Sequence, residues 1–170
     1  SRLEEVDRVC KELLRKQYDK KNAARERMDR FVAVADPDDL TQHYFGRLNT
    51  GLPHYSYLKI SEGCNQKCAF CAIPNFRGKL KSRSMEQIEA ECRDLVASGA
   101  REIVLISQDS SSYGVDIDNR EQKVVELLRR LTRIDGLEWL RLMYLYPTRF
   151  PEGLLDEMAG NPKIVKYVDM

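Results

Sequence analysis

From Tyr55 onward the chain alternates β-rich apolar runs with amphipathic helical stretches, and this alternation narrows the possible folds more than any other feature. Residues 55–60, 102–107, 137–146 and 164–168 read as strands. Ser84-Met85-Glu86-Gln87 is a capping box that opens a helix carrying Met85, Ile88, Cys92, Leu95 and Val96 on one face. Gly99 ends that helix. A second helix over 121–133 places Val124, Val125, Leu127, Leu128 and Leu131 together and closes near Gly136. Pro151 takes a first-turn position ahead of a third, short helix with Leu154, Leu155 and Met158, which runs to Gly160. Strands separated by helices require a parallel sheet with right-handed crossovers, so the fold class is α/β. The third strand, almost continuously apolar and containing Trp139, suits a position covered on both faces.

Ligands in parallel α/β sheets bind beyond the carboxyl ends of the strands, so the loops there hold the chemistry. The first is Gly63-Cys64-Asn65-Gln66-Lys67-Cys68-Ala69-Phe70-Cys71. Its three cysteines are spaced so that all the thiols can turn toward one small centre. Thiolates select zinc, copper(I) or iron–sulfur clusters. A closed structural zinc site needs four protein ligands, whereas an iron–sulfur cluster held by three leaves one iron open. The competing reading is a zinc knuckle with His54 or Cys92 as the fourth ligand; Cys92 lies on the apolar face of its helix, which weakens it. Between Glu62 and Glu86 stand Lys67, Arg77, Lys79, Lys81 and Arg83 with no acid, a set able to hold an anionic centre or simply to be solvated.

Two more loops follow strands. Ser107-Gln108-Asp109-Ser110-Ser111-Ser112-Tyr113-Gly114-Val115-Asp116 can hydrogen-bond an amino acid or a ribose, or can be a surface turn that caps the next helix. Tyr144-Leu145-Tyr146-Pro147-Thr148-Arg149 presents two tyrosines that either line a site or pack in the core. Both histidines lie upstream of the cysteine loop, which leaves general-base histidine chemistry poorly supported.

Composition sets the remaining bounds. At 170 residues and 42% apolar, the chain can bury the core of one domain with an appendage. A net charge of +1 exerts no general pull toward nucleic acid. No apolar run approaches the roughly 18 residues needed to span a membrane. Five cysteines are too sparse and too odd in number for a disulfide framework, and unpaired thiols together with the lack of a visible signal peptide point to the cytoplasm.

CxxxCxxC with an aromatic residue before its third cysteine resembles the radical S-adenosylmethionine (SAM) superfamily. The longer string from Leu58 to Cys64, then Cys71-Ala72-Ile73-Pro74, Arg77-Gly78 and Ser82-Arg83, is similar to its methylthiotransferases. The resemblance implies that Cys64, Cys68 and Cys71 bind a 4Fe-4S cluster whose open iron chelates SAM. Cleavage of that cofactor then gives a 5′-deoxyadenosyl radical. Phe70 would lie beside the adenine, and Ser107, Gln108, Asp109 and Tyr144 would contribute to cofactor binding. Gln108-Asp109, Tyr113-Gly114-Val115-Asp116 and Tyr144-Leu145-Tyr146-Pro147 resemble the RimO-like branch, which modifies the β-carbon of an aspartyl residue in a small-subunit ribosomal protein. The sister branch, MiaB-like, acts on an adenosine of transfer RNA. A non-catalytic metal-binding piece is the third reading. The resemblance also implies an electron donor such as a flavodoxin or ferredoxin.

The fold it implies is a partial TIM-type barrel of which 54–170 would supply about the first four strands. Residues 29–53, with a strand over 31–35 and a helix from Asp36, resemble the end of the family's N-terminal α/β domain. Residues 1–28 read as a polar helix with Leu3, Val6, Val9, Leu13 and Leu14 as a narrow stripe and Cys10 as a small core residue. Family members bind a second 4Fe-4S cluster through three N-terminal cysteines. Only Cys10 precedes the loop here, so the chain is expected to be incomplete and to lack that cluster.

Overall fold

A computed structural model describes residues 51–117 and 121–170, together with Arg8, Lys11 and Glu12. The chain divides into two units, Ser1–Ala35 and Asp36–Met170. In the first, Arg8, Lys11 and Glu12 are helical and exposed. The strand expected at 31–35, the helix expected from Asp36 and the placement of Cys10 lie outside the described residues.

The second unit contains, in order, β1 (Tyr55–Lys59), β2 (Ser61–Glu62), α1 (Ile73–Phe76), β3 (Lys81–Ser82), α2 (Met85–Ala97), β4 (Glu102–Ile106), α3 (Val124–Leu131), β5 (Trp139–Leu142) and α4 (Leu154–Gly160). Strands β1, β4 and β5 form a parallel sheet in the order β1-β4-β5, with Leu58 beside Leu105 and Leu105 beside Leu142. Alternation along each strand sends Leu58, Ile103, Leu105, Leu140 and Leu142 to one face. There they are buried with Ile88, Cys92 and Leu95 of α2 and with Val124, Leu127, Leu128 and Leu131 of α3. Each fully buried leucine or isoleucine contributes about 1.5–3 kcal/mol, so this layer is the main source of stability.

The helix ends follow their expected chemistry. Ser84 Oγ accepts from the Gln87 N–H at 3.3 Å at the start of α2. At its other end Gly99 adopts φ +109°, and the Ala100 N–H reaches back to Leu95 O at 3.1 Å. Helix α3 starts later than the hydrophobic spacing predicts, because the residues before it are tied elsewhere. Gln122 Nε2 donates to Ser111 O and Arg149 O, and the Lys123 N–H donates to Tyr113 O.

Two expectations about the later strands are corrected. Strand β5 is covered on one face among the described residues, not two: Trp139 is 57% exposed, and Arg141 beside it pairs with Glu102 at 2.6 Å. Their side chains share the face opposite the helices, alternating with buried Leu140 and Leu142. The segment expected as a fourth strand forms a single parallel bridge, Leu140 with Ile164. The Tyr167 N–H turns back to Val165 O at 2.8 Å, which withdraws it from the ladder. No helix among the described residues is long and apolar enough to cross a membrane.

Candidate functional site

The cysteine loop is held in place by a short ribbon. Strand β2 pairs antiparallel with β3, Ser61 with Ser82 and Glu62 with Lys81, which folds the returning segment 77–80 back onto the loop. The Cys64 N–H donates to Gly78 O at 3.2 Å, and Asn65 Oδ1 accepts from the Leu80 N–H at 3.1 Å. Gly63 sits where the two backbones meet, at φ +73°. A Cβ there would overlap Lys79 O and lie 2.7 Å from Gly78 O, so only glycine fits. Beyond it the Cys71 N–H closes a turn onto Cys68 O at 3.0 Å.

The three thiols are unpaired. Cys64 is 8% exposed, while Cys68 and Cys71 are half-buried. Burial pushes the Cys64 thiol up from its ordinary value. The Gln66 N–H, 3.4 Å from its sulfur, opposes that shift, and Asp109, Cys71 and Cys68 add to it. Cys64 therefore lies within electrostatic reach of the other two thiols and of Asp109. Among the described residues no three His, Cys, Asp or Glu side chains stand in a ready-made metal-binding arrangement. The donor set still discriminates between centres. Cys92 is enclosed in the core, so it cannot serve as a fourth ligand. His54 precedes β1, whose five residues extend about 16 Å, and it is exposed at the end opposite the loop. Three thiols and no fourth partner among the described residues fit an iron–sulfur cluster with an open iron better than a closed zinc site.

The loop after β4 is no surface turn. Asp109 is 3% exposed, and Ser110, Ser111 and Ser112 form a buried 3₁₀ turn. Gln66 Nε2 donates to Asp109 Oδ2 at 2.8 Å, and Ser112 Oγ donates to the same oxygen at 2.6 Å. Gln108 Nε2 donates to Glu62 Oε1 at 3.0 Å. Glu62 also receives Lys59 Nζ, and Arg77 stands 3.7 Å away. Two buried acceptors in this network have no partner: Gln108 Oε1 and Asp109 Oδ1. Ser107 Oγ lies 3.0 Å from Ser110 Oγ and so supports the turn.

The loop after β5 is clasped from both sides. Ser110 donates through its N–H to Tyr144 O at 2.9 Å and through Oγ to Met143 O at 2.6 Å. The Tyr144 N–H donates to Asp169 Oδ2 at 2.9 Å. Tyr144 takes φ +62°, a left-handed conformation that costs a non-glycine residue about 1–3 kcal/mol. Its side chain is 52% exposed, so the core-packing alternative fails for it. Tyr146 is half-buried, with its hydroxyl 3.6 Å from Cys68 Sγ.

The structure thus gathers Cys64, Cys68, Cys71, Gln108 and Asp109 into one neighbourhood, with Ser107 behind it. Phe70 is 94% exposed, and Tyr144 is fixed through its backbone. Of the five cations expected around the loop, Arg83 is withdrawn: it is buried, with Nη1 2.7 Å from Glu91. Sequence reasoning missed Glu62, Gln66 and Ser111. Their contacts cross between loops, and the only local hint was Glu62 as the last acid before a cationic stretch.

A family description, the Radical SAM superfamily, matches residues 58–170. The chain belongs to the radical SAM superfamily. Within it the sequence is RimO-like. The ribosomal protein uS12 methylthiotransferase RimO of Desulforamulus reducens is 47% identical over 149 residues, which are 88% of this chain and 33% of that protein. The protein of the same name from Acetivibrio thermocellus is 41% identical over 169 residues, 98% of this chain and 36% of that protein. The chain therefore spans about a third of the length of the curated relatives it matches. Among solved structures, the radical SAM methyltransferase TsrM from Kitasatospora setae, with cobalamin and a 4Fe-4S cluster bound, is similar at a TM-score of 0.50 and 20% identity, over 65% of this chain and 21% of that one. This likeness bears on the fold, which is that of the α/β radical SAM core.

Proposed function

We propose that this chain carries the cofactor-holding part of a RimO-like methylthiotransferase acting in the cytoplasm. Its substrate would be an aspartyl β-carbon of a small-subunit ribosomal protein, with a flavodoxin- or ferredoxin-type donor supplying electrons. Cys64, Cys68 and Cys71 would hold a 4Fe-4S cluster. Such a cluster, when bound with one open iron, supplies the electron that cleaves the sulfonium of SAM.

The chain's own residues prepare that event. Cys64 must give up a proton to bind iron, and the Gln66 N–H stabilises the resulting thiolate. A carboxylate only accepts, so Glu62 obliges Gln108 to present its amino group, which leaves Gln108 Oε1 as an acceptor. Gln66 and Ser112 occupy Asp109 Oδ2, leaving Oδ1. These two oxygens match the ammonium and ribose hydroxyl donors of SAM. Phe70 and Tyr144, both exposed, would form the outer wall that shields the cofactor from water.

The observation that carries this reading is the pair of buried, unpartnered acceptors wired to a three-thiol loop. Anaerobic incubation with iron and sulfide is expected to give a coloured protein with about four irons per chain, which cleaves SAM to 5′-deoxyadenosine only when reductant is present. Cys68→Ala should abolish both properties. Colourless zinc binding with no cleavage overturns the proposal. Methylthio mass gained by an uS12 peptide, rather than by transfer RNA, tests the substrate.

A further inference from the structure

Among the described residues, Tyr146 is the one that touches a thiol of the site from outside the cysteine loop, through a contact across 78 residues of sequence. We propose that Tyr146 is a positioning residue whose hydroxyl donates a hydrogen bond to the Cys68 sulfur and thereby sets the reduction potential and retention of the cluster; this rests on the cluster assignment above. With both groups protonated, either could donate. Once Cys68 is a thiolate ligand it can only accept, so the phenol must be the donor.

The surroundings hold the backbone of this residue in place. Pro147 restricts the residue before it to extended backbone, and Tyr146 lies there at φ −105°, ψ 124°. The Tyr146 N–H donates to Ser111 Oγ at 2.8 Å, and Ser111 Oγ lies 3.4 Å from Tyr146 O. The neighbouring Leu145 N–H is held by Asp169 O at 2.8 Å. The backbone that carries the ring is therefore held by bonds that do not depend on a bound group, and the ring reaches Cys68 from it. Tyr144, two residues upstream, sets the turn into this segment with its left-handed backbone at φ +62°.

A donor on a ligand sulfur stabilises the more anionic, reduced cluster, so it raises the reduction potential. Outer partners of this kind also orient ligands, and their loss typically weakens metal binding about tenfold or more.

The test compares the iron-loaded protein with Tyr146→Phe, which keeps the ring and removes only the donor. The variant is expected to fold with an unchanged melting profile, to titrate at a lower midpoint potential, and to lose iron to a chelator about tenfold faster. Ser111→Ala, which loosens the backbone clamp, should shift the potential the same way by a smaller amount. Equal potentials and equal iron loss in Tyr146→Phe and the parent overturn the role of Tyr146 while leaving the cluster assignment standing. Failure of the parent itself to take up iron overturns both.

Discussion

Gln66 Nε2 donates to Asp109 Oδ2 at 2.8 Å, joining the cysteine loop to the loop after β4 across 43 residues of sequence. The bond ties the two halves of the site into one unit, and Ser112 completes it from behind. Asp109→Ala strands both donors, each at about 1–3 kcal/mol if left buried without water. The expected result is a lower unfolding midpoint in urea together with loss of SAM binding in equilibrium dialysis. Ser112→Ala removes one neutral bond and should cost about 1 kcal/mol with binding largely kept. Full binding by Asp109→Ala would remove this aspartate from the site.

Gly63 and Gly78 both occupy left-handed backbone, at φ +73° and +79°, yet only one is crowded. A Cβ at Gly78 meets nothing within 4 Å, so Gly78→Ala should cost only the conformational penalty of about 1–2 kcal/mol. Gly63→Ala adds overlap with the Gly78–Lys79 backbone and should cost about 3 kcal/mol or more. Chemical denaturation of the two variants side by side measures the difference. Equal losses would mean the ribbon is looser than the geometry shows.

Arg83 and Glu91 form a buried ion pair at 2.7 Å, and Arg83 Nη1 also caps Lys59 O at the end of β1. Glu91→Leu alone removes a buried charge partner of the guanidinium and should destabilise by about 3–5 kcal/mol. The double change Arg83→Met with Glu91→Leu should recover much of that loss. Thermal melts decide it: a double variant no better than the single would show that the Lys59 contact, not the charge pair, carries the effect.

Burial pushes the Cys92 thiol from 9.0 up to about 12, and it raises Cys64 and Tyr113 in the same direction. A raised value means that the folded state keeps its proton longer than the unfolded one. The associated stability is complete below pH 9.0 and is lost as pH climbs from there through about 12. Urea midpoints measured across that window should fall steadily, and less steeply for Cys92→Ala. Alkylation mapped by mass spectrometry should reach the half-buried Cys68 and Cys71 first and Cys92 only on unfolding.

Local signals are sufficient for elements whose chemistry is local. The capping serine of α2 and its closing Gly99 are legible because each acts on backbone within a few residues. The hydrophobic faces of α2 and α3 are legible because helical periodicity reports which side meets a sheet. Strand β5 misleads for a complementary reason. A run of apolar residues announces burial, but in a strand every second side chain crosses to the other face, and here that face holds exposed Trp139. The tail at 164–168 misleads because strand character does not ensure pairing; Tyr167 spends its N–H on Val165 instead.

The sequence by itself determined that three thiols would share one loop at the end of a parallel strand, since CxxxCxxC is a matter of covalent spacing and strand–helix alternation admits little else. Tertiary structure alone decided which side chains face those thiols. Asp109 meets Gln66, Gln108 meets Glu62, and Tyr146 meets Cys68 only because three loops leave the same edge of one sheet. Contacts of that kind follow from the register of β1, β4 and β5, which holds residues far apart in sequence side by side and leaves no trace in any one stretch of the chain.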